Sequence, residues 1–188
     1  MKTYLTISNG QEIKSPEFLK QNLKLIQSLN KAFSKKRKCS NNRKKALNKL
    51  QKVHNDVFNK RTDFEWKLAH ELCKHNSFIA IEDLNLEAMK KLWGRKISDL
   101  SFSSFVNKLG QVALKYNTVL QKVDRYYASS KTCSCGVKNK ELKLSEREWV
   151  CSSCGTVHQR DLLASNNILS EGIRLYCTKH KTDIVSAV

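Results

Sequence analysis

Apolar positions along the 188-residue chain repeat with two periods, and the switches between them outline its elements. Residues 2–9 approximate the two-residue alternation of a half-buried strand, with Tyr4 and Ile7 off the ideal pattern. Asn9-Gly10 then marks a hairpin turn, which makes 11–14 the returning strand. Ser15-Pro16-Glu17 sets proline where a helix begins. From there Leu19, Leu23, Ile26, Leu29 and Phe33 recur at helical spacing. After a polar break, Leu47, Leu50, Val57, Phe64, Leu68 and Leu72 trace one stripe of a long second helix. The pair predicts a helical hairpin over 16–76.

Phe78-Ile79-Ala80-Ile81 is a continuous apolar run and predicts a strand buried on both faces of an α/β sheet. It ends at Glu82-Asp83, and such folds build their sites at the carboxyl ends of their strands. Residues 86–93 read as a short turn or helix and 98–103 as a polar link. Phe102, Phe105, Val106, Leu109, Val112, Ala113, Tyr116 and Leu120 predict a core-facing helix, and 122–127 a further strand. After Asp161, Leu163, Ile168, Leu169 and Ile173 predict an amphipathic helix closing near Gly172, with a polar tail from Cys177. The order of elements makes this an α/β chain.

Charge adds a partner. Lys and Arg outnumber Asp and Glu by 35 to 17, a formal net charge of +18, which points to a polyanion such as nucleic acid. The positive residues cluster: Lys35 to Lys38 and Arg43 to Lys45 bracket the break between the first two helices, and Lys49, Lys52, Lys60 and Arg61 line the polar face of the second. A solvated lysine face is the plainer reading for any one of them; the clustering favours phosphate contact for the group. His54, His70 and His75 have no ligand-like spacing and read as surface or core histidines. The sequence has no apolar run long enough to cross a bilayer and no secretion-signal layout at its start.

Seven cysteines without such a signal argue for a reducing compartment, the cytoplasm, and for metal ligation. Four of them form two pairs, Cys133-Ser134-Cys135-Gly136 and Cys151-Ser152-Ser153-Cys154-Gly155. Paired cysteines on glycine-ended turns, separated by a short polar loop, predict a zinc ribbon that holds one Zn²⁺ through four thiolates. Two disulfides or four free thiols are the alternatives. The first pair is one residue shorter than the usual C-x-x-C, from which reduced zinc affinity is expected.

Taken in order, these features resemble one family. A buried strand ends in Ile81-Glu82-Asp83-Leu84. Later come Asp124-Arg125-Tyr126-Tyr127 through Cys133, the two cysteine pairs, His158-Gln159-Arg160-Asp161, and Ala164 to Ile168. This is similar to the C-terminal half of the TnpB/OrfB family, RNA-guided DNA endonucleases encoded by insertion-sequence transposons and related to type V CRISPR effectors. The resemblance runs from Lys2-Thr3 to about Gly172. It implies a RuvC-like core of RNase H type over 1–125, a zinc ribbon inserted at 126–160, the last catalytic helix at 161–175 and a tail at 176–188. It implies transposition-linked DNA cleavage with Mg²⁺, DNA and a guide RNA as partners, and a prokaryotic or viral mobile element as source. Three family acids hold two Mg²⁺ ions; the match carries the second onto Glu82 and the third onto Asp161. The first lies in a Gly-x-Asp-x-Gly segment upstream of the residues matching Lys2-Thr3. The chain is therefore expected to be a truncated member with impaired cleavage, or else a non-catalytic nucleic-acid-binding remnant. Leu163 stands where the family usually has asparagine. Asp63, Asp83 and Asp124 do not match the first acid, and Asp83 should face away from Glu82 across the strand.

Overall fold

The computed structural model describes residues 3–94, 100–143 and 145–185, which form two compact units. Its elements are β1 (Thr3–Thr6), β2 (Glu12–Lys14), α1 (Phe18–Ser34), α2 (Asn41–His75), β3 (Phe78–Glu82), α3 (Leu86–Trp93), α4 (Phe102–Tyr116), β4 (Val119–Val123), β5 (Glu148–Val150), β6 (Val157–Gln159) and α5 (Arg160–Val185).

One unit comprises 16–74 and 86–112 and is helical. Ile26, Leu50, Val57, Leu68, Phe105, Leu109 and Val112 are among its buried apolar residues, largely the stripes the periodicity marks. The pattern hides one exception. Glu65 lies in the apolar stripe of α2 and is only 1% exposed. Its carboxylate accepts hydrogen bonds from Ser104 Oγ at 2.7 Å and Lys108 Nζ at 2.6 Å, both on α4. A charge can be buried in this way because an opposite charge and a hydroxyl take over the role of water. At the turn between α1 and α2, Ser40 caps the second helix through Arg43 N, and Arg43 stacks its guanidinium 4.1 Å from the Phe33 ring centre. Lys35, Lys36, Lys38, Lys44 and Lys45 around it are exposed.

The other unit comprises 1–15, 75–85 and 113–188. β1 and β2 form the expected hairpin, closed by Ile7 N donating to Gln11 O at 2.9 Å, with Gly10 at φ 90°. β3 and β4 run parallel with Glu82 opposite Val123, and β5 and β6 run antiparallel. α5 packs on β3 and β4. Its Gly172 lies against Ala80, and one turn later Tyr176 meets Phe78 edge-on, with ring centres 5.6 Å apart. The helix therefore runs antiparallel to β3.

Four expectations need correction. β3 is half-buried along its length rather than covered on both faces. The second strand of the parallel pair is 119–123, and residues 124–127 form a turn, because the Asp124 carboxylate accepts from Tyr126 N at 2.7 Å and ends the extended run. Leu120 thus belongs to β4 and not to the preceding helix. α5 does not close near Gly172: that glycine makes a close helix–strand approach, and the helix continues to Val185. Part of the polar link at 98–103 lies outside the described residues.

Candidate functional site

The two cysteine pairs converge. The sulfurs of Cys133, Cys135, Cys151 and Cys154 all lie within 4.8 Å of one another. Cys133 and Cys154 are 3.5 Å apart and Cys135 and Cys151 3.6 Å. A tetrahedron with Zn–S bonds of about 2.3 Å has S···S edges of roughly 3.8 Å, so this donor set fits a structural zinc ion. Each pair sits on a turn closed by backbone bonds. Gly136 N donates to Cys133 O and Cys133 N to Val137 O; in the second turn Gly155 N donates to Cys151 O and Cys151 N to Thr156 O. The missing residue of the first pair thus gives a turn tighter by one residue, and it does not keep Cys135 out of the cluster. Gly136 and Gly155 take φ of 89° and 69°, a region open to glycine at no steric cost.

The surroundings favour thiolate at two positions. The Thr156 hydroxyl and N–H pull Cys154 down to about 6, and the N–H groups of Cys154 and Ser153 lower Cys151. At Cys135 the Val137 N–H acts in the same direction, but Cys133, burial and the other two sulfurs outweigh it and push the thiol up to about 12. Four anions this close cannot coexist without a cation among them. The residue that sequence reasoning leaves without a role is His158. Its Nε2 lies 3.0 Å from Cys133 Sγ, and its ring meets that of Trp149, its neighbour across the β5–β6 pair, at a tilt of 47° with ring centres 4.8 Å apart. An imidazole bonded to a ligand sulfur orients that ligand. Cys133, Leu142, Trp149, Cys151 and Leu163 form a small buried core that includes two of the four cysteines.

The two carboxylates that the sequence matches to the family, Glu82 and Asp161, belong to the same unit. Glu82 is the last residue of β3, half-buried, with no side-chain hydrogen bond or ion pair among the described residues, and burial raises its pKa. Asp161 lies in the first turn of α5, where the helix dipole favours an anion. Because α5 runs antiparallel to β3, that turn is beyond the carboxyl end of the strand. About 16 Å of helix separates Asp161 from Gly172 and about 7 Å of strand separates Glu82 from Ala80, so the turn overhangs Glu82 by up to about 10 Å. Asp161 is engaged: Arg147 Nη1 donates to it at 2.8 Å, and Arg160 Nε lies at 3.5 Å.

The other acids are engaged too. Asp83 binds the Arg125 guanidinium, which lowers its pKa, Asp63 binds Lys67 at 2.7 Å, and Asp124 caps its own turn. Asn167 is a second contribution the sequence did not assign. Its amide donates to both Ser129 O and Thr132 O at 2.7 Å, clasping the chain that leads into the first cysteine turn onto α5.

A parallel strand pair ending in an acid, a returning helix with an acid in its first turn, and a four-cysteine ribbon spliced between them define a RuvC-like fold of RNase H type. Solved structures agree. The chain superposes on a chain of a Cas12f1–sgRNA–target DNA complex with a TM-score of 0.58 at 18% identity, covering 85% of this chain and 43% of that one. A CRISPR–Cas12f ternary complex gives 0.60 at 18% identity, covering 85% and 34%. Residues 1–92 match the OrfB_IS605 family, described as a probable transposase, and 102–168 match the Cas12f1-like TNB domain. A Streptomyces pristinaespiralis protein described as a candidate RNA-guided DNA endonuclease is 36% identical over 172 residues, 90% of this chain and 42% of that protein. The TnpB-like protein L79 of Acanthamoeba polyphaga mimivirus is 33% identical over 93% of this chain and 36% of its own length. The chain belongs to the TnpB/OrfB family. It spans about two-fifths of the length of these relatives.

Proposed function

We propose that residues 1–188 form the RuvC-like and zinc-ribbon portion of a transposon-associated, TnpB-type DNA endonuclease. In this reading Cys133, Cys135, Cys151 and Cys154 hold a structural Zn²⁺. Glu82 and Asp161 are catalytic ligands of Mg²⁺. The partners are DNA and a guide RNA, and the setting is the reducing cytoplasm. The observation that carries the reading is the antiparallel course of α5 on β3, which gives Glu82 and Asp161 a common end of the same layered unit. The chemistry of the donors agrees, since hard divalent cations take carboxylate oxygens. Bound Mg²⁺ supplies water activation and charge neutralisation for phosphodiester cleavage. Glu82, half-buried and without a side-chain partner among the described residues, is suited to receive a cation.

Two matched carboxylates are fewer than the family's three. A polypeptide of residues 1–188 by itself is therefore proposed to cleave DNA slowly at best. The domain division carries over with a core at 1–125, a ribbon at 126–160 and the last catalytic helix from 161, now continuing to Val185 in place of a tail. A second reading rests on a different observation: Arg147 and Arg160 already neutralise Asp161. A non-catalytic nucleic-acid-binding remnant or regulator would keep that pairing permanently.

The experiment compares cleavage of DNA in Mg²⁺ or Mn²⁺ by residues 1–188 and by the same chain extended upstream with a Gly-x-Asp-x-Gly strand. The nuclease reading expects cleavage by the extended form, abolished by Glu82→Gln and by Asp161→Asn. Cleavage that survives both substitutions overturns the assignment, and two inactive forms that still bind DNA support the remnant.

A further inference from the structure

Tyr126 is 87% exposed, yet its backbone is held from both sides. Its N–H donates to Asp124 Oδ1 at 2.7 Å, the next N–H, of Tyr127, donates to Asp124 O at 3.1 Å, and Ser129 N donates to Tyr127 O at 2.7 Å. The neighbouring Arg125 is fixed by its ion pair with Asp83, whose own N–H donates to Val123 O at 3.0 Å. A single exposed aromatic is ordinary on a protein surface. What distinguishes this one is its mounting and its address. The turn leaves β4 at Val123, the residue in register with Glu82 one strand spacing away, about 4.8 Å. Lys122, also exposed, precedes it on the same strand.

We propose that Tyr126 is a base-stacking residue that positions single-stranded DNA at the carboxyl end of the β3–β4 pair, beside Glu82. The inference rests on the nuclease reading above and adds a positioning residue to it. An aromatic ring with both faces in solvent offers a platform to any base, because every base has a π-face, and only an unstacked strand presents bases to it. The turn removes backbone freedom before the strand arrives, so less ordering is left to the binding event. Lys122 supplies phosphate attraction, while the charge of Arg125 is committed to Asp83 and serves to brace the turn.

The test uses the whole chain and short DNA oligonucleotides carrying 2-aminopurine, whose fluorescence falls on stacking. Tyr126→Ala is expected to weaken single-strand binding by about tenfold or more, within the range for loss of one base–aromatic stack. It should leave the salt dependence of binding unchanged, since no phosphate contact is lost. Tyr126→Phe should bind and quench like the parent, and duplex binding should respond little to either change. Parent-like single-strand binding and quenching by Tyr126→Ala overturn the stacking role while leaving the nuclease reading intact. Equal losses on single-stranded and duplex DNA overturn it as well. A parent chain that binds no DNA even at low salt removes both.

Discussion

Gly172 of α5 lies so close to Ala80 of β3 that a Cβ built on the glycine would come within 2.6 Å of the Ala80 Cβ. Glycine inside a helix costs about 1 kcal/mol relative to alanine, so close packing is the reason to keep it. Gly172→Ala is expected to destabilise by roughly 1–3 kcal/mol despite its better helix propensity, as overpacked contacts do. Ala80→Gly in the same chain should recover part of the loss. Urea unfolding of the two single variants and the double variant measures this, and a more stable Gly172→Ala would contradict it.

The cysteine cluster should bind one Zn²⁺ per chain. Cys151→Ala with Cys154→Ala should abolish binding, and chelation should melt the ribbon first, since Cys133 and Cys151 are themselves part of its small core. His158→Ala should lower affinity by about 10–100-fold through loss of the bond to Cys133. Competition with a chromophoric chelator gives both results, and zinc retained in full by the double variant would refute the site.

Glu65 and Lys108 form a buried pair whose side chains are 1% and 14% exposed. Lys108→Met takes away the cation that Glu65 is bonded to, and should cost about 3–5 kcal/mol. Adding Glu65→Leu should return much of that, because the stranded charge goes with it. A double-mutant cycle with additive losses would show that the pair is not coupled.

Burial raises the Glu82 pKa above its ordinary value near 4.5. The folded state then binds the proton more tightly than the unfolded chain. This contribution to stability is fully present below about 4.5 and is lost as pH rises through the raised value. In buffer free of Mg²⁺ and Mn²⁺, Glu82→Gln should therefore be more stable than the parent at neutral pH, with the gap closing in acid. Thermal melts at several pH values decide it, and a gap that widens in acid would reverse the sign.

The exposed lysines at the α1–α2 turn and along α2 predict DNA or RNA binding whose affinity falls steeply as salt rises. Replacing Lys35, Lys36 and Lys38 with alanine should reduce the salt slope. Replacing Arg43 should act mainly on folding, because its guanidinium stacks on Phe33 and donates to Lys36 O at 3.0 Å. A slope unchanged by the lysine substitutions would place the contact elsewhere.

Periodicity and turn chemistry were enough to read the hairpin at Asn9-Gly10, both long helices, β3 and the cysteine turns, since each depends on neighbouring residues. What escaped the sequence depends on pairs far apart. Glu65 looks like a break in an apolar stripe until Lys108, 43 positions on, neutralises it. Gly172 reads as a helix end because a glycine there usually is one, and only Ala80 reveals the close approach. Tyr127 looked like strand because β-propensity does not register that Asp124 caps a turn. Of the candidate site, the four sulfurs and two carboxylates were legible as residue types. Their supports, His158, Asn167 and Arg147, were not, because nothing in their own segments names the atom each one holds.

No residue separates β6, which ends at Gln159, from α5, which starts at Arg160. The Gln159 side chain accepts from Leu162 N at 2.6 Å, so the last strand of the ribbon caps the very turn that bears Asp161. His158, bonded to a cluster sulfur, is three positions from that aspartate. The cluster and the acid thus share one unbroken run of backbone. An oxidant that joins these sulfurs as disulfides would disturb the strand and unseat the first turn of α5 without touching a carboxylate. The thiol balance of the surroundings thus bears on the placement of Asp161.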